Sequence, residues 1–167
     1  MRVMGIDCGG EYTGFGVVEQ DATGELVCVE MGVIHLLQRD RLERRLGQIF
    51  DRLCEIIHQH RPDVVAIEDV FHAANSKTAL KLGHVRGVAM LSAAQCGLEV
   101  VAYAPLTVKS AVVGYGKAEK AQVQMMVARL LKLPALPQPA DVADALAIAI
   151  CHLHTAATLA RQSATAH

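Results

Sequence analysis

Residues Ala145-Leu146-Ala147-Ile148-Ala149-Ile150 would be apolar on every side of a helix, and the next charged residue is Arg161. Such a helix has to be buried on most of its surface, so the rest of the chain must supply a layer for it to lie against. The uncharged stretch from Ala145 to Ala160 falls short of the ~20 apolar residues of a membrane span, and it carries His152, His154, Thr155 and Thr158. It reads as a core helix. At the other end, Met1 to Ile6 runs into Asp7 before the apolar region of a signal peptide can form. Both ends point to a soluble, cytoplasmic protein, and 167 residues suffice for one domain with a full core.

The remaining elements follow from periodicity. Val3 to Ile6 is a short apolar strand that ends in Asp7 and the turn residues Cys8-Gly9-Gly10. Thr13 to Glu19 and Leu26 to Leu36 are two further β-prone runs joined by the turn Asp21-Ala22-Thr23-Gly24, which makes an antiparallel meander. Leu42, Leu46, Ile49, Phe50, Leu53, Ile56 and Ile57 then recur every three or four residues, the pattern of an amphipathic helix that Pro62 terminates. A buried strand, Asp63 to Ile67, delivers Glu68 and Asp69 at its end. A helix over Ser76 to Gln95, a strand over Val100 to Tyr103, a short helical piece and a helix over Ala118 to Leu131 come next. After Pro134, Pro137 and Pro139, the last helix starts at Asp141 and runs to about Leu159. A meander followed by helix-linked strands predicts an α/β fold, a mixed sheet flanked by helices in one domain over residues 1–160, with 161–167 a frayed tail.

Among the carboxylates, a few occupy positions where a charge needs a reason. Asp7 and Glu68 end apolar strands. Asp141 and Asp144 open the apolar helix and, spaced three apart, share one face of it. Each also has a structural explanation: Asp141 and Asp144 as helix-capping acids, Asp7 as a turn residue. Strand alternation sends Glu68 and its neighbour Asp69 to opposite faces, and the residues alone do not say which of them joins Asp7. Taken together, the acids would form a cluster of hard oxygen ligands suited to Mg²⁺ or Mn²⁺. Two such ions ~3.5–4 Å apart support phosphodiester hydrolysis.

Net charge is −1, but it is unevenly spread. Residues 1–75 carry −6, and residues 76–132 carry +6 through Lys77, Lys81, Arg86, Lys109, Lys117, Lys120, Arg129 and Lys132 against Glu99 and Glu119. A basic third beside an acidic one fits a local polyanion site with cations next to it. Chance segregation of solvated helix faces would look the same. The odd set of five cysteines contains no close pair, which argues against a disulfide framework and against a zinc ribbon. His152 and His154 lie on opposite sides of their helix, poor geometry for one metal.

Several runs of this chain resemble the RuvC Holliday-junction resolvases. They are Gly5-Ile6-Asp7-x-Gly9-x-x-x-Thr13-Gly14, Ala66-Ile67-Glu68-x-Val70-Phe71, Asn75-x-x-x-Ala79-Leu80-Lys81-Leu82-Gly83-x-x-Arg86-Gly87, Val112-Val113-Gly114-x-Gly116-x-Ala118-x-Lys120-x-Gln122-Val123 and Asp141-x-x-Asp144-Ala145-Leu146-Ala147-Ile148-Ala149. The resemblance spans residues 1 to about 154 in order. It implies an RNase H-like fold, a homodimer, and paired nicks across four-way DNA junctions in recombination and repair. It also implies Asp7, Glu68, Asp141 and Asp144 as metal-binding catalytic carboxylates, which selects Glu68 over Asp69, with two Mg²⁺ ions (Mn²⁺ as the alternative) and the branch-migration proteins RuvA and RuvB as partners.

For DNA binding, the resemblance implies Lys109 and Lys120 as phosphate contacts and Phe71 as a residue that stacks on unpaired bases. Lys117, beside the glycine loop, and Lys77, Lys81 and Arg86 complete the expected basic surface. The chain departs from the family where Asp7-Cys8-Gly9-Gly10 replaces the usual Asp-Pro-Gly-Ser. Alternation aims Cys8 away from the Asp7 face. The helix through Ala79, Leu82, Val85, Ala89 and Met90, with small residues Gly83 and Gly87, is the expected dimer surface. Gly5-Ile6-Asp7-x-Gly9 also resembles the phosphate hairpin of actin-like and sugar-kinase ATPases, but those close two such domains on a nucleotide. A binding module without catalysis is the third alternative, against which the full acid set weighs.

Overall fold

Side-chain alternation along the first strand decides which layer each helix joins. In the computed structural model, which describes residues 1–9, 11–35, 39–69 and 76–165 with side chains to 159, β1 (Arg2–Cys8) pairs antiparallel with β2 (Tyr12–Gln20), and β2 with β3 (Leu26–His35). The meander turns at Asp21, whose Oδ1 accepts the N–H groups of Thr23 and Glu25 at 2.8 and 2.9 Å, while Gly24 takes a φ of +87°. On the other side of β1, β4 (Val64–Glu68) and β5 (Glu99–Tyr103) add in parallel, giving the mixed order β3-β2-β1-β4-β5.

Met4, Ile6, Val17, Val65 and Ile67 point to one face of this sheet. They pack there with Ile49, Leu53, Ile56 and Ile57 of α1 (Leu42–His60) and Val85, Ala89 and Ala93 of α2 (Ser76–Gln95). The opposite face presents Val3, Val18, Val64 and Ala66 to α3 (Pro105–Val113), α4 (Lys120–Leu130) and α5 (Ala140–Thr165). The result is one domain of three layers, as the sequence predicts. Helix α1 closes at Arg61 in the left-handed conformation, one residue before Pro62. Helix α4 starts at Lys120, two residues later than its apolar pattern suggests: Glu119 is the N-cap, its N–H held by Gln122 Oε1 at 2.9 Å, and Ala118 is spent in the core.

Helix α5 has the length and apolarity to cross a membrane over Ala140–Leu159. Its residues Ala145 to Cys151 and Leu153 are instead all at most 1% exposed, packed against the sheet and α3–α4. Its backbone extends to Thr165, beyond the Leu159 end that the sequence suggested. The axis lies unusually close to β1 and β2 because the cross-strand pairs Gly5–Gly16 and Asp7–Gly14 put glycines under it. A Cβ on Gly5 would sit 2.0 Å from the Ala145 carbonyl oxygen and 2.8 Å from the Ala149 nitrogen, and one on Gly14 would sit 2.1 Å from the Asp141 carbonyl oxygen.

One expectation needs correction. Val85 and Ala89 do not belong to an outward apolar face of α2; they are 3% and 0% exposed and pack under the sheet. The exposed stripe is instead Ala79, Leu80, Gly83, Gly87, Met90 and Leu91, with Leu80 at 63% and Leu91 at 50% exposure. Sequence periodicity marks both faces as apolar, and only the packing tells them apart.

The glycine floor yields a paired prediction. Gly5→Ala forces α5 away from the sheet and is expected to cost ~3 kcal/mol or more, lowering Tm by about 6–12 °C in a domain of this size. Gly47→Ala on α1, where nothing lies within 4 Å of the new methyl, is expected to raise stability by up to ~1 kcal/mol through helix propensity. Equal melting temperatures for the two variants would contradict the close approach of α5.

Candidate active site

Three elements bring the acids together. Asp7 and Glu68 are the last α5-facing positions of adjacent parallel strands, one step beyond the paired residues Ile6 and Ile67. Helix α5 lies over them and contributes Asp141 and Asp144. Asp7, Glu68 and Asp144 line a cleft of roughly 360 Å³, together with Lys109 of α3, Lys120 of α4 and the apolar Pro105, Val108, Val123 and Ala147. Asp141 sits next to this cleft, its Oδ1 3.5 Å from where a Cβ on Gly9 would be. Gly9 turns tightly there, its N–H donating to the Asp7 carbonyl at 3.1 Å.

Titration behaviour reports the mutual proximity. Asp7 is pushed up from 3.8 to about 7, first by burial, then by the negative charges of Asp144, Glu68 and Asp141, with Lys120 pulling the other way. Glu68 is raised by burial and by Asp144, against Lys120 and Lys109. Lys120 is raised by its hydrogen bond to Asp144, at 2.7 Å, and by the charges of Asp144, Asp7 and Asp141. A lysine in the first turn of a helix opposes the helix dipole; here the acids opposite it compensate.

Strand alternation resolves the neighbours as well. Asp69 points to the α1–α2 face and pairs with Arg86 Nη2 of α2 at 3.2 Å. Cys8 also turns to that face, where burial and the nearby Asp7 charge push its thiol to about 12. It leaves the acid cleft to the oxygens.

Lys109 and Lys120 are thus in the cleft, and Lys117 is exposed on the loop that leads to α4. Lys77 and Lys81 are exposed on α2 and do not line the cleft. Arg86 is engaged beneath β4. Phe71 lies outside the described residues. His152 and His154 serve separate tethers, His152 Nδ1 to the Tyr103 hydroxyl at 2.8 Å and His154 Nδ1 to the Ala111 carbonyl at 2.9 Å. The grip of Arg86 and Asp69 on the end of β4 has no periodic signature in sequence; the one available signal was an acid beside Glu68 that alternation sends to the wrong face.

The donor chemistry fits hard divalent cations. Carboxylate oxygens face an open cleft, and burial together with their mutual repulsion raises Asp7 in a way that a cation would oppose. Among the described residues no group of three or more His, Cys, Asp and Glu side chains is placed to hold one metal ion together. Mg²⁺ does not need such a group, since it commonly keeps several waters and takes one or two carboxylates.

Comparison with known proteins places the chain in a lineage. The family model for crossover junction endodeoxyribonuclease RuvC matches residues 3–152. The chain is 70% identical over 166 residues to a crossover junction endodeoxyribonuclease RuvC of Koribacter versatilis, covering 99% of this chain and all of that one. The structure of Thermus thermophilus RuvC superposes with a TM-score of 0.87 at 36% identity, covering 95% of this chain and 96% of that one. T. thermophilus RuvC in complex with Holliday junction substrate also superposes at 0.87, with 33% identity and the same coverage. The fold is RNase H-like, and the protein is a nuclease that works on DNA. The chain belongs to the RuvC family of crossover junction endodeoxyribonucleases.

The raised Asp7 value has a measurable sign. A carboxyl that titrates near 7 when folded and near 4 when unfolded favours the folded state below pH ~4 and loses that contribution as pH rises through about 7. In chelator, Asp7→Asn is therefore expected to melt above wild type at pH 8, by at most ~4 kcal/mol, and level with it near pH 4. Excess Mg²⁺ narrows the gap at pH 8 by stabilising wild type. Melting curves that stay parallel across this pH range would mean that Asp7 is not crowded by other acids.

Proposed function

We propose that Asp7, Glu68, Asp141 and Asp144 are the catalytic carboxylates with which this enzyme nicks four-way DNA junctions, and that they hold two Mg²⁺ ions, with Mn²⁺ as an alternative. The observation that carries the reading is their convergence from β1, β4 and α5 on a cleft flanked by Lys109 and Lys120. Bound divalent ions would supply Lewis-acid stabilisation of charge on the phosphate and activation of a water. The chain's own groups do the rest. The carboxylates fix the cation positions, the apolar wall of Val108, Val123 and Ala147 limits water, and Lys109 binds a phosphate oxygen next to the scissile bond. Lys120, paired with Asp144 at the edge of the same cleft, would neutralise charge on that phosphate.

The nuclease unit in this reading is residues 1–160. Lys117, Lys77 and Lys81 extend the polyanion surface, and Phe71 contacts unpaired bases. Two symmetric nicks require two sites related by the two-fold axis of the junction, which an isologous dimer supplies. The stripe Leu80, Gly83, Gly87, Met90 and Leu91 suits that role, because its glycines let a second helix approach closely and its leucines are otherwise left in water. A cytoplasmic location and RuvA and RuvB as partners rest on family membership alone.

Asp7→Asn, Glu68→Gln and Asp144→Asn are each expected to bring junction cleavage below detection while binding stays equal or tightens, since a negative ligand is lost without loss of shape. Asp141→Asn, which keeps a helix cap, is expected to retain the most activity. Wild-type chains mixed with Asp7→Asn chains should nick one strand and spare its symmetric partner. Wild-type rates from Asp7→Asn with Mg²⁺ would refute the assignment, and paired nicks by a sedimenting monomer would refute the dimer.

The lysines are tested by salt. Lys109→Ala, Lys117→Ala and Lys120→Ala should each flatten the plot of log K against log[salt] for junction binding by about 0.7–0.9. Unchanged slopes in all three would return them to ordinary solvated positions.

A further inference from the structure

We propose that Arg86 is a positioning residue for the nuclease reaction, a strut from α2 that fixes the end of β4 so that Glu68 faces the cleft. The inference rests on the assignment of Glu68 to the catalytic set. It starts from the strand itself. Glu68 is the last residue of β4, and Asp69 follows with its side chain on the opposite face. In extended backbone, holding one of two successive side chains below the sheet fixes the direction of the other above it.

The structure holds Asp69 from two sides. Its N–H donates to the Tyr103 carbonyl of β5 at 2.8 Å, which continues the sheet pairing one residue past the strand. Its carboxylate receives Arg86 Nη2 at 3.2 Å, and Arg86 Nε points to the Glu68 carbonyl oxygen at 3.4 Å. One planar guanidinium thus spans the Glu68 backbone and the Asp69 side chain, a pairing for which the fork of arginine is suited and the point charge of lysine is not. Arg86 is only 24% exposed at its side chain, and its third nitrogen lies 3.5 Å from Met90 Sδ on the next turn of α2. The charge also reaches Cys8, the neighbour of Asp7. Arg86 therefore lies beneath both acid-bearing strand ends, on the far side of the sheet from the cleft, and it is bound within the protein. That placement separates it from the lysines of the cleft and departs from the DNA contact that its position in the basic third suggests.

The test compares Arg86→Ala, Arg86→Lys, Asp69→Asn and Glu68→Gln on an immobile four-way junction. Single-turnover cleavage and its dependence on Mg²⁺ concentration are read alongside junction affinity in EDTA across a salt series. Groups that orient a first ligand typically contribute 10–100-fold, so Arg86→Ala is expected to slow cleavage by about that factor and to raise the Mg²⁺ concentration at half-maximal rate. Junction affinity in EDTA and its salt slope stay as in wild type. Arg86→Lys recovers part of the rate, and Asp69→Asn, which keeps the shape and removes the charge, shows a smaller loss in the same direction; it also stands in if Arg86→Ala does not fold. A salt slope reduced by about 0.7–0.9 with a parallel loss of affinity would make Arg86 a phosphate contact and overturn the proposal. Wild-type cleavage by both Arg86→Ala and Asp69→Asn would overturn it too. Wild-type cleavage by Glu68→Gln would instead remove the underlying assignment, a result that the Arg86 variants alone could not produce.

Discussion

Helix α5 rests on backbone, not on side chains. Gly5, Gly14 and Gly16 leave no Cβ beneath it, and a methyl at any of them would meet α5 atoms at 2.0–2.5 Å. Most of the molecule is arranged around that contact. The apolar residues Ala145 to Cys151 lose all contact with water through it, at the ~25 cal/mol per Å² typical of apolar burial. The same contact sets the height of Asp141 and Asp144 above the strand ends of β1 and β4. With larger residues in the floor, the helix would ride higher and the acids from the two sources would no longer share a cleft.

The cleft is electrostatically expensive without its counter-charges, and the chain places those with economy. Asp7 bears most of the cost, which is why its carboxyl rises to about 7. Lys120 offsets part of it from a helix terminus where a cation is otherwise disfavoured. Such an arrangement, acids pushed together with cations held at the edge, is costly for stability and typical of sites evolved for chemistry. The two faces of the sheet divide the work accordingly, with the acid and lysine groups above and the exposed apolar stripe of α2 below.

Much of this was legible in the sequence, for identifiable reasons. The element order, the mixed sheet and the burial of the last helix follow from periodicity and from Pro62 and Gly24. The four acids stood out because each borders an apolar element, Asp7 and Glu68 at strand ends and Asp141 and Asp144 at the start of the last helix. Alternation could state that Glu68 and Asp69 face opposite ways but not which face α5 covers, because that depends on Gly5 and Gly14 being its floor; the family resemblance supplied the choice. Val85 and Ala89 were misassigned to the outer face of α2, since a helix apolar on two sides carries no directional moment. The ion pair of Arg86 with Asp69 joins residues from two elements whose relative placement no local pattern encodes. The resemblance marked Lys120 as a phosphate contact, but its pairing with Asp144 joins two separate helices and has no local pattern.

The order in which the acids occur along the chain has a consequence for synthesis. Asp7 is made long before Asp144, which belongs to α5. The meander of β1 to β3 has its pairings near in sequence and can form early, but β1 receives β4 and then α5 only after long intervals of chain. During translation, domains and their parts fold from the N-terminus as they emerge, and until α5 has left the ribosome the glycine floor is bare and the cleft has half its carboxylates. A chain interrupted before α5 therefore lacks Asp141 and Asp144 and has no assembled acid cleft.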